Sequence, residues 1–90
     1  MILKLVFVGG LRRVFGGGIE IKLGKKMKLR DLIEVLVKKN HRLAEVLDTN
    51  GPKPGYLLFI NDVDYQVLSG MDTEIDDDDV LTLVPVNHGG

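Results

Sequence analysis

One stretch of this chain, residues 28–39, constrains the fold more than any other, because it alone has the spacing of an amphipathic helix. Its apolar residues recur at positions i, i+3, i+4, i+7 and i+8, which places them on one stripe of a helix: Leu29, Leu32, Ile33, Leu36 and Val37. Lys38 and Lys39 lie near the negative pole of the helix dipole and mark its end. No Ser, Thr, Asp or Asn precedes Leu29 as a cap, so the start is less sharply defined.

The remaining apolar runs are short and indicate strands. Residues 2–8 and 19–23 are rich in β-branched side chains and flank a turn that contains three consecutive glycines at 16–18. Residues 56–60 are continuously apolar and predict a buried strand, which a tight turn at 61–62 connects to a short, partly polar strand over 63–68. Residues 80–84 predict the last strand. A short helical turn is expected within 42–47 and a loop over 48–55.

This order of elements predicts an α+β fold with one main helix packed on one face of a mixed sheet of about five strands. Ninety residues are enough for one core, so we expect a single domain over 1–86, followed by a tail over 87–90 that we expect to be flexible. Most of Leu57, Phe59, Leu81 and Leu83 are expected in the core, although they are also candidates for an apolar docking face.

Composition excludes several classes of protein. The chain has no cysteine, so it has neither disulfides nor a nucleophilic thiol of its own. No apolar run approaches the roughly 20 residues of a membrane-spanning helix, and the first residues lack the pattern of a signal peptide, so a cytoplasmic monomer is expected. The net charge of -1 does not favour direct binding of nucleic acid. Basic residues concentrate in the first half and acidic residues between 62 and 79.

No internal pattern predicts a catalytic, metal or nucleotide site. The glycines at 16–18 are not followed by the Lys-Ser/Thr of a phosphate-binding loop and predict only a turn. His41 and His88 have no acidic partners at ligand spacing, so no metal is expected. The four aspartates at 76–79 lack the glycine and the distal glutamate of a calcium loop and are interpreted as a solvated turn. Because no nucleophile, base and orienting acid converge, the chain is not expected to be an enzyme.

The element order, with a last strand that runs into a terminal glycine pair, resembles the β-grasp fold of ubiquitin and its sulfur-carrier relatives. Three local motifs resemble those of the ubiquitin-related modifier family across essentially the whole chain: Phe7-Val8-Gly9-Gly10-Leu11 with Phe15-Gly16, Pro54-Gly55 with Leu58 and Ile60-Asn61-Asp62-Val63-Asp64, and His88-Gly89-Gly90. Two positions depart from the family pattern. Tyr65 stands where the family usually has tryptophan, and Asn87 stands where it usually has leucine.

The resemblance implies a function at the carboxylate of Gly90. An ATP-dependent activating enzyme, an adenylyltransferase and sulfurtransferase, would convert this carboxylate to an acyl-adenylate and then to a thiocarboxylate. The thiocarboxylate would donate sulfur to the enzymes that 2-thiolate the wobble uridine of transfer RNA, and the activated end could also acylate lysines of target proteins. ATP would belong to the activating enzyme, so no cofactor is expected on this chain.

The tail and part of the surface are the expected contacts with this partner. Glycines lack a Cβ atom, so Gly89 and Gly90 can enter a narrow channel that leads to ATP. His88 precedes them and is assigned to the same tail. Met71, taken to lie in a loop, and the acidic residues Asp62 and Asp64 are candidates for a partner surface.

Two alternatives share some of these features. A sulfur carrier for molybdopterin or thiazole synthesis would have the same fold and the same tail, and the Ile60-Asn61-Asp62-Val63-Asp64 stretch favours the modifier family over it. A β-grasp domain that binds a partner without covalent chemistry would have the fold but would not need Gly90.

Overall fold

A computed structural model describes residues 2–86 of the chain. The main helix, α2 (Leu29–Lys39), lies where the apolar spacing predicts it, and α1 (Leu11–Phe15) is a short helix that precedes it. The backbone of Lys28 is extended, with φ -69° and ψ 151°, and no side chain caps α2. Asp31 in the first turn and Lys38 and Lys39 in the last turn complement the helix dipole.

The strands form one large sheet and two small two-stranded pairs. In chain order they are β1 (Leu3–Phe7), β2 (Gly18–Ile21), β3 (Met27–Lys28), β4 (Leu47–Asp48), β5 (Gly51–Pro52), β6 (Tyr56–Ile60), β7 (Val63–Asp64), β8 (Glu74–Ile75) and β9 (Val80–Pro85). The large sheet has the order β2-β1-β9-β6-β7, while β3 pairs with β8 and β4 with β5. In the large sheet β9 runs parallel to β1 and antiparallel to β6, so the predicted mixed five-stranded sheet is confirmed.

The core lies between α2 and one face of the large sheet. Alternate residues of β1, β6 and β9 are at most 4% exposed, and we call this side of the sheet the closed face: Leu3, Leu5, Phe7, Leu58, Ile60, Leu81 and Leu83. Helix α2 contributes Leu29, Leu32, Ile33 and Leu36 to the core, which also contains Leu11, Leu43, Val46, Leu47 and Ile75. Full burial of one such side chain stabilises the fold by about 1.5–3 kcal/mol.

Several local expectations were wrong. Residues 11–15 form α1 rather than part of a turn, because Arg12 and Arg13 donate their amides to the carbonyls of Gly9 and Gly10. The predicted strand over 63–68 stops at Asp64, whose carboxylate accepts a hydrogen bond from the Gln66 amide and caps a 3₁₀ helix, Tyr65–Val67. The helical turn expected within 42–47 is present as a 3₁₀ helix, His41–Glu45, and a further 3₁₀ helix spans Gly70–Asp72.

Two residues expected in the core are not buried. Leu81 and Leu83 are buried as predicted, but Leu57 is 40% exposed and Phe59 only half-buried. The run over 56–60 therefore has one covered face and one uncovered face, like an ordinary amphipathic strand. No helix of the described part of the chain is long and apolar enough to span a membrane.

Candidate functional site at the end of the central strand

The predicted site is the segment 87–90, which follows the central strand of the sheet in the sequence. Strand β9 ends at Pro85, and Val86 is the last described residue. Its amide donates a hydrogen bond to the Gly55 carbonyl over 2.7 Å. Asn87, His88, Gly89 and Gly90 lie outside the described residues, so their roles remain predictions. The structure defines the point from which the tail departs.

The start of β9 is held by Asn61, a residue of the family-like motif. Its amide and side-chain carbonyl form a reciprocal pair with Val80: the Asn61 amide donates to the Val80 carbonyl over 2.8 Å, and the Val80 amide donates to Asn61 Oδ1 over 2.9 Å. Asn61 Nδ2 also donates to Asp79 Oδ1 over 2.8 Å. The Asn61 side chain thus connects the β6–β7 turn to the strand that leads to the tail.

The conformation of that turn explains why Asn and Asp occupy it. Asn61 and Asp62 have positive φ angles of 49° and 69°. Short polar side chains tolerate this left-handed region best after glycine, and two such residues in succession are typical of a tight hairpin turn. The Ile60-Asn61-Asp62 stretch is therefore explained by the hairpin and its bonds to β9, without any contact to a partner.

The four aspartates at 76–79 also act within the fold. Asp79 Oδ2 accepts from the Asp76 amide, and Asp77 accepts from the amides of Leu23 and Gly24 over 2.6 and 3.0 Å. The hydrogen bond from the Leu23 amide is the largest cause that lowers the pKa of Asp77 below its ordinary value, with a smaller contribution from Gly24. The expected solvated turn is thus also a clamp on the loop that follows β2.

The far end of β9 has a different construction. Pro85 has no amide hydrogen, and it packs against the backbone of Gly9, where an added Cβ would lie 3.2 Å from Pro85 Cγ. Gly9 has a φ of 64°, so a larger residue there would be strained as well as crowded. The Phe7-Val8-Gly9 motif therefore positions the last residue of the strand.

The side of the sheet opposite α2 carries mostly apolar residues that are exposed or only partly buried, and we call it the open face. Its residues alternate with those of the closed face along β1, β6 and β9 and just beyond β1: Val6, Val8, Leu57, Phe59, Thr82 and Val84. The strand register places Val84 opposite Leu57, and Thr82 opposite both Phe59 and Val6. Val8 is 39% exposed and its amide donates to the Leu83 carbonyl. The open face therefore extends to the end of β9 from which the tail departs.

Basic residues lie in the helix that follows the Gly9 turn, and the Arg12 guanidinium is near Gly17, next to the start of β2. Helix α1 starts directly after Gly9 and Gly10 and carries Arg12 and Arg13, both exposed. The sequence did not single out these arginines, and it named Leu57 and Phe59 of the open face as candidates for a docking face while it placed most of their group in the core. The available signal was the run of consecutive apolar residues in β1, which makes both faces apolar but does not tell which face a helix will cover.

The structure does not gather the residues predicted as a partner surface around the tail. Asp62 is exposed in the turn bonded to the start of β9, which six residues of strand, roughly 20 Å, separate from the tail. Asp64 pairs with Phe59, and its carboxylate is used in a cap. Met71 lies in a 3₁₀ helix, not in the expected loop, and packs half-buried against the core near Tyr65 and Gly51, so only part of its side chain is available for contact.

Within residues 2–86, no group of three or more His, Asp or Glu side chains is arranged to hold a metal ion. His41 lies exposed at the start of a 3₁₀ helix. His88 lies outside the described residues.

Comparisons with known proteins agree with this geometry. The family model described as Urm1 (Ubiquitin related modifier) matches residues 2–90. A ubiquitin-related modifier 1 homolog of Dictyostelium discoideum is 32% identical, with 100% of both chains covered. The solution structure of Urm1 from Trypanosoma brucei has a TM-score of 0.71 at 25% identity and covers 99% of this chain and 95% of that one.

A more distant likeness concerns the fold alone. A chain of the Amycolatopsis orientalis BexX/CysO complex has a TM-score of 0.72 at 21% identity, with 98% of this chain and 99% of that chain covered. A ubiquitin-type fold with the same extent is thus found in a protein crystallised with a partner. The family match, by contrast, runs through the whole described sheet and on to the final glycine. The chain belongs to the Urm1 (ubiquitin related modifier) family.

Proposed function

We propose that this chain is a ubiquitin-like protein modifier and sulfur carrier whose reacting group is the carboxylate of Gly90. The observation that carries the proposal is that the family match includes residue 90, only four residues beyond the end of the described sheet. As a modifier, the chain is the substrate of other enzymes and not itself a catalyst.

The proposed reaction starts with activation, because a carboxylate is a poor electrophile. The Gly90 carboxylate attacks the α-phosphorus of ATP on the activating enzyme, pyrophosphate leaves, and an acyl-adenylate forms. The terminal sulfur of an enzyme persulfide then attacks the acyl carbon, and AMP leaves. A thiol reductant cleaves the resulting sulfur–sulfur bond and releases the thiocarboxylate. This chain contains no cysteine that could intercept the acyl group.

The shortness of the tail determines where the activating enzyme must dock. Four extended residues span at most about 14 Å. An active site that holds Gly90 therefore lies within that distance of Val86, and the enzyme that contains it must contact the surface around the end of β9. We propose that it covers the open face at Val8, Leu57 and Val84, whose apolar side chains are suited to the centre of an interface.

Charged residues are assigned to the rim of the same interface. Arg12 and Arg13 lie in α1, which follows the Gly9 turn that packs against Pro85, and they would meet an acidic surface of the enzyme, which would accelerate encounter more than it would strengthen the complex. Asp62 and Asp64 lie farther from the tail and are assigned to secondary contacts, as is the exposed part of Met71. His88 and Gly89 would lie in the channel that leads to ATP.

The thiocarboxylate is proposed to supply sulfur to the enzymes that 2-thiolate the wobble uridine of transfer RNA in the cytoplasm. The activated carboxyl is also proposed to form isopeptide bonds with lysines of target proteins. Both reactions use the same carbonyl carbon, so competition between a sulfur donor and a lysine amine decides which product forms.

A Gly90-deletion variant is the first test of this proposal. The activating enzyme, ATP and a persulfide donor are expected to convert the full chain, but not the deletion variant, to a thiocarboxylate detectable by intact mass. Since residues 2–86 contain the whole described fold, the deletion should leave the unfolding transition unchanged. Retention of cellular function by the deletion variant would instead support a β-grasp domain that acts only by non-covalent binding.

A further inference from the structure

Strand β2 forms one edge of the large sheet, and the hydrogen-bonding pattern reveals which of its residues face away from the sheet. The Phe7 amide donates to the Gly17 carbonyl, and the register pairs Leu5 with Ile19. Hydrogen-bonded pairs recur every second residue in an antiparallel ladder. The odd-numbered residues therefore bond to β1, and the even-numbered ones, Glu20 included, direct their amides and carbonyls to the free edge.

The charges along this edge are complementary to those of a second, antiparallel copy of the same edge. Glu20 and Lys22 are both exposed and are separated by one residue, Ile21. If two copies of the edge pair antiparallel with Ile21 at the centre, Glu20 of each copy lies opposite Lys22 of the other. The neighbouring allowed register, centred on Glu20, would place the two glutamates opposite each other, and directly opposed like charges destabilise a sheet. Electrostatics therefore selects the first register.

We propose that a second copy of this chain pairs with β2 in this register to form a two-fold symmetric dimer with a continuous ten-stranded sheet. Glu20 and Lys22 exchange both of their backbone hydrogen bonds with the partner, which gives four in total. Ile21 meets its own copy, and the half-buried Ile19 meets Leu23 on the side of the core. The proposed dimer differs from the monomer expected from the sequence.

The structure also limits the length of the pairing. The amides of Leu23 and Gly24 are bound by Asp77, and Gly24 turns the chain with a φ of 76°. The ladder consequently ends at Lys22, so the dimer is weak and depends on concentration. Two strand spacings, roughly 10 Å, separate β2 from β9, so the dimer leaves the tail and the proposed docking surface accessible. The proposal is therefore independent of the chemistry at Gly90.

Sedimentation equilibrium up to about 1 mM, the weak end of the affinity scale, tests the proposal with two charge variants. Glu20→Lys and Lys22→Glu each place like charges opposite each other twice, so each is expected to weaken self-association about tenfold. An equimolar mixture of the two variants restores both opposite-charge pairs and should associate like the wild type. The double variant Glu20→Lys/Lys22→Glu should do the same.

Lys39→Glu, at the end of α2, is the matched control because it makes the same change in net charge as Lys22→Glu and should leave self-association unchanged. Restoration by mixing also excludes misfolding as the cause of a loss, since a misfolded variant would not recover on addition of another. A wild-type chain that is monomeric throughout the series would overturn the proposal. So would a dimer that neither single variant weakens, or a mixture that stays monomeric.

Discussion

The two faces of the large sheet are built from alternate residues of the same strands, yet their residues differ in burial. On the closed face of β9, Leu81 and Leu83 lie in the core and are at most 1% exposed, whereas Val84 on the open face is only partly buried. Both faces are apolar, but only one packs against the helix. Apolar character alone therefore does not determine what a residue of this sheet does, and the uncovered residues are available for a partner.

The largest expected difference between the faces is in stability. Leu83→Ala removes a fully buried side chain and leaves a cavity, so we expect a loss of about 2–5 kcal/mol in the free energy of unfolding. Val84→Ala, the next residue of the same strand, is the matched control and should cost less than about 1 kcal/mol. Urea denaturation measures both. Equal losses would mean that the open face is as much a part of the core as the closed face.

Asn61→Ala tests whether the family motif belongs to the fold or to the partner surface. The substitution removes two side-chain hydrogen bonds at the start of β9 and places alanine at a φ of 49°, so a loss of about 2 kcal/mol in stability is expected. Asn61→Gly keeps the backbone conformation and isolates the cost of the bonds.

Activation by the enzyme should be much less affected than stability in Asn61→Ala, provided that it is measured at a temperature where the variant remains folded. A normal free energy of unfolding combined with a large defect in activation would show that Asn61 contacts the enzyme and does not stabilise the fold.

The open face should behave in the opposite way. Leu57→Ser combined with Val84→Ser is expected to lower kcat/KM for adenylation of the chain about tenfold, since truncation of the few residues that dominate an interface costs more than about 1 kcal/mol. A pair of exposed apolar residues that do not belong to the open face, Val67 and Leu68, provides the control. If Val67→Ser combined with Leu68→Ser lowers kcat/KM as strongly, the open face has no special role.

The smallest expected effect concerns the pH dependence of stability. Asp77 has its pKa lowered in the folded state by the Leu23 amide, so the ionised form stabilises the fold at pH values above the unfolded pKa of about 3.9. This contribution is lost as the pH falls through the lower, folded pKa. Urea midpoints between pH 2 and 5 should therefore decline more steeply in the wild type than in Asp77→Asn. Parallel declines would show that the clamp does not depend on ionisation.

The sequence was sufficient for the helix and for the layering, because periods of 3.6 and 2 are local properties. It did not separate Leu57 and Phe59 from the core, since a continuous apolar run does not record which face another element covers. The hydrogen bond from Asn61 to Asp79 could not be predicted from the sequence either. Those residues are 18 positions apart, and only the pairing of β6 with β9 brings them together.

Short elements were missed for a related reason. Residues 11–15 are too few for a helical period to be recognised. Strand β7 ends at Asp64 because its carboxylate caps the 3₁₀ helix that follows, although the residues after it have high β-propensity. The family-like motifs were enough to predict the candidate site at Gly90. The proposed docking surface around it could be defined only from the register of three strands.

The central claim is that the Gly90 carboxylate, presented at the end of β9, is the group on which activation takes place. The most direct measurement is the intact mass of the full chain after incubation with the activating enzyme, ATP and a persulfide donor, with fragmentation to locate the change. We expect replacement of one oxygen by sulfur, confined to Gly90 and absent without ATP. An unchanged mass under conditions that thiolate another carrier of the family, or a modification located elsewhere in the chain, would contradict this account.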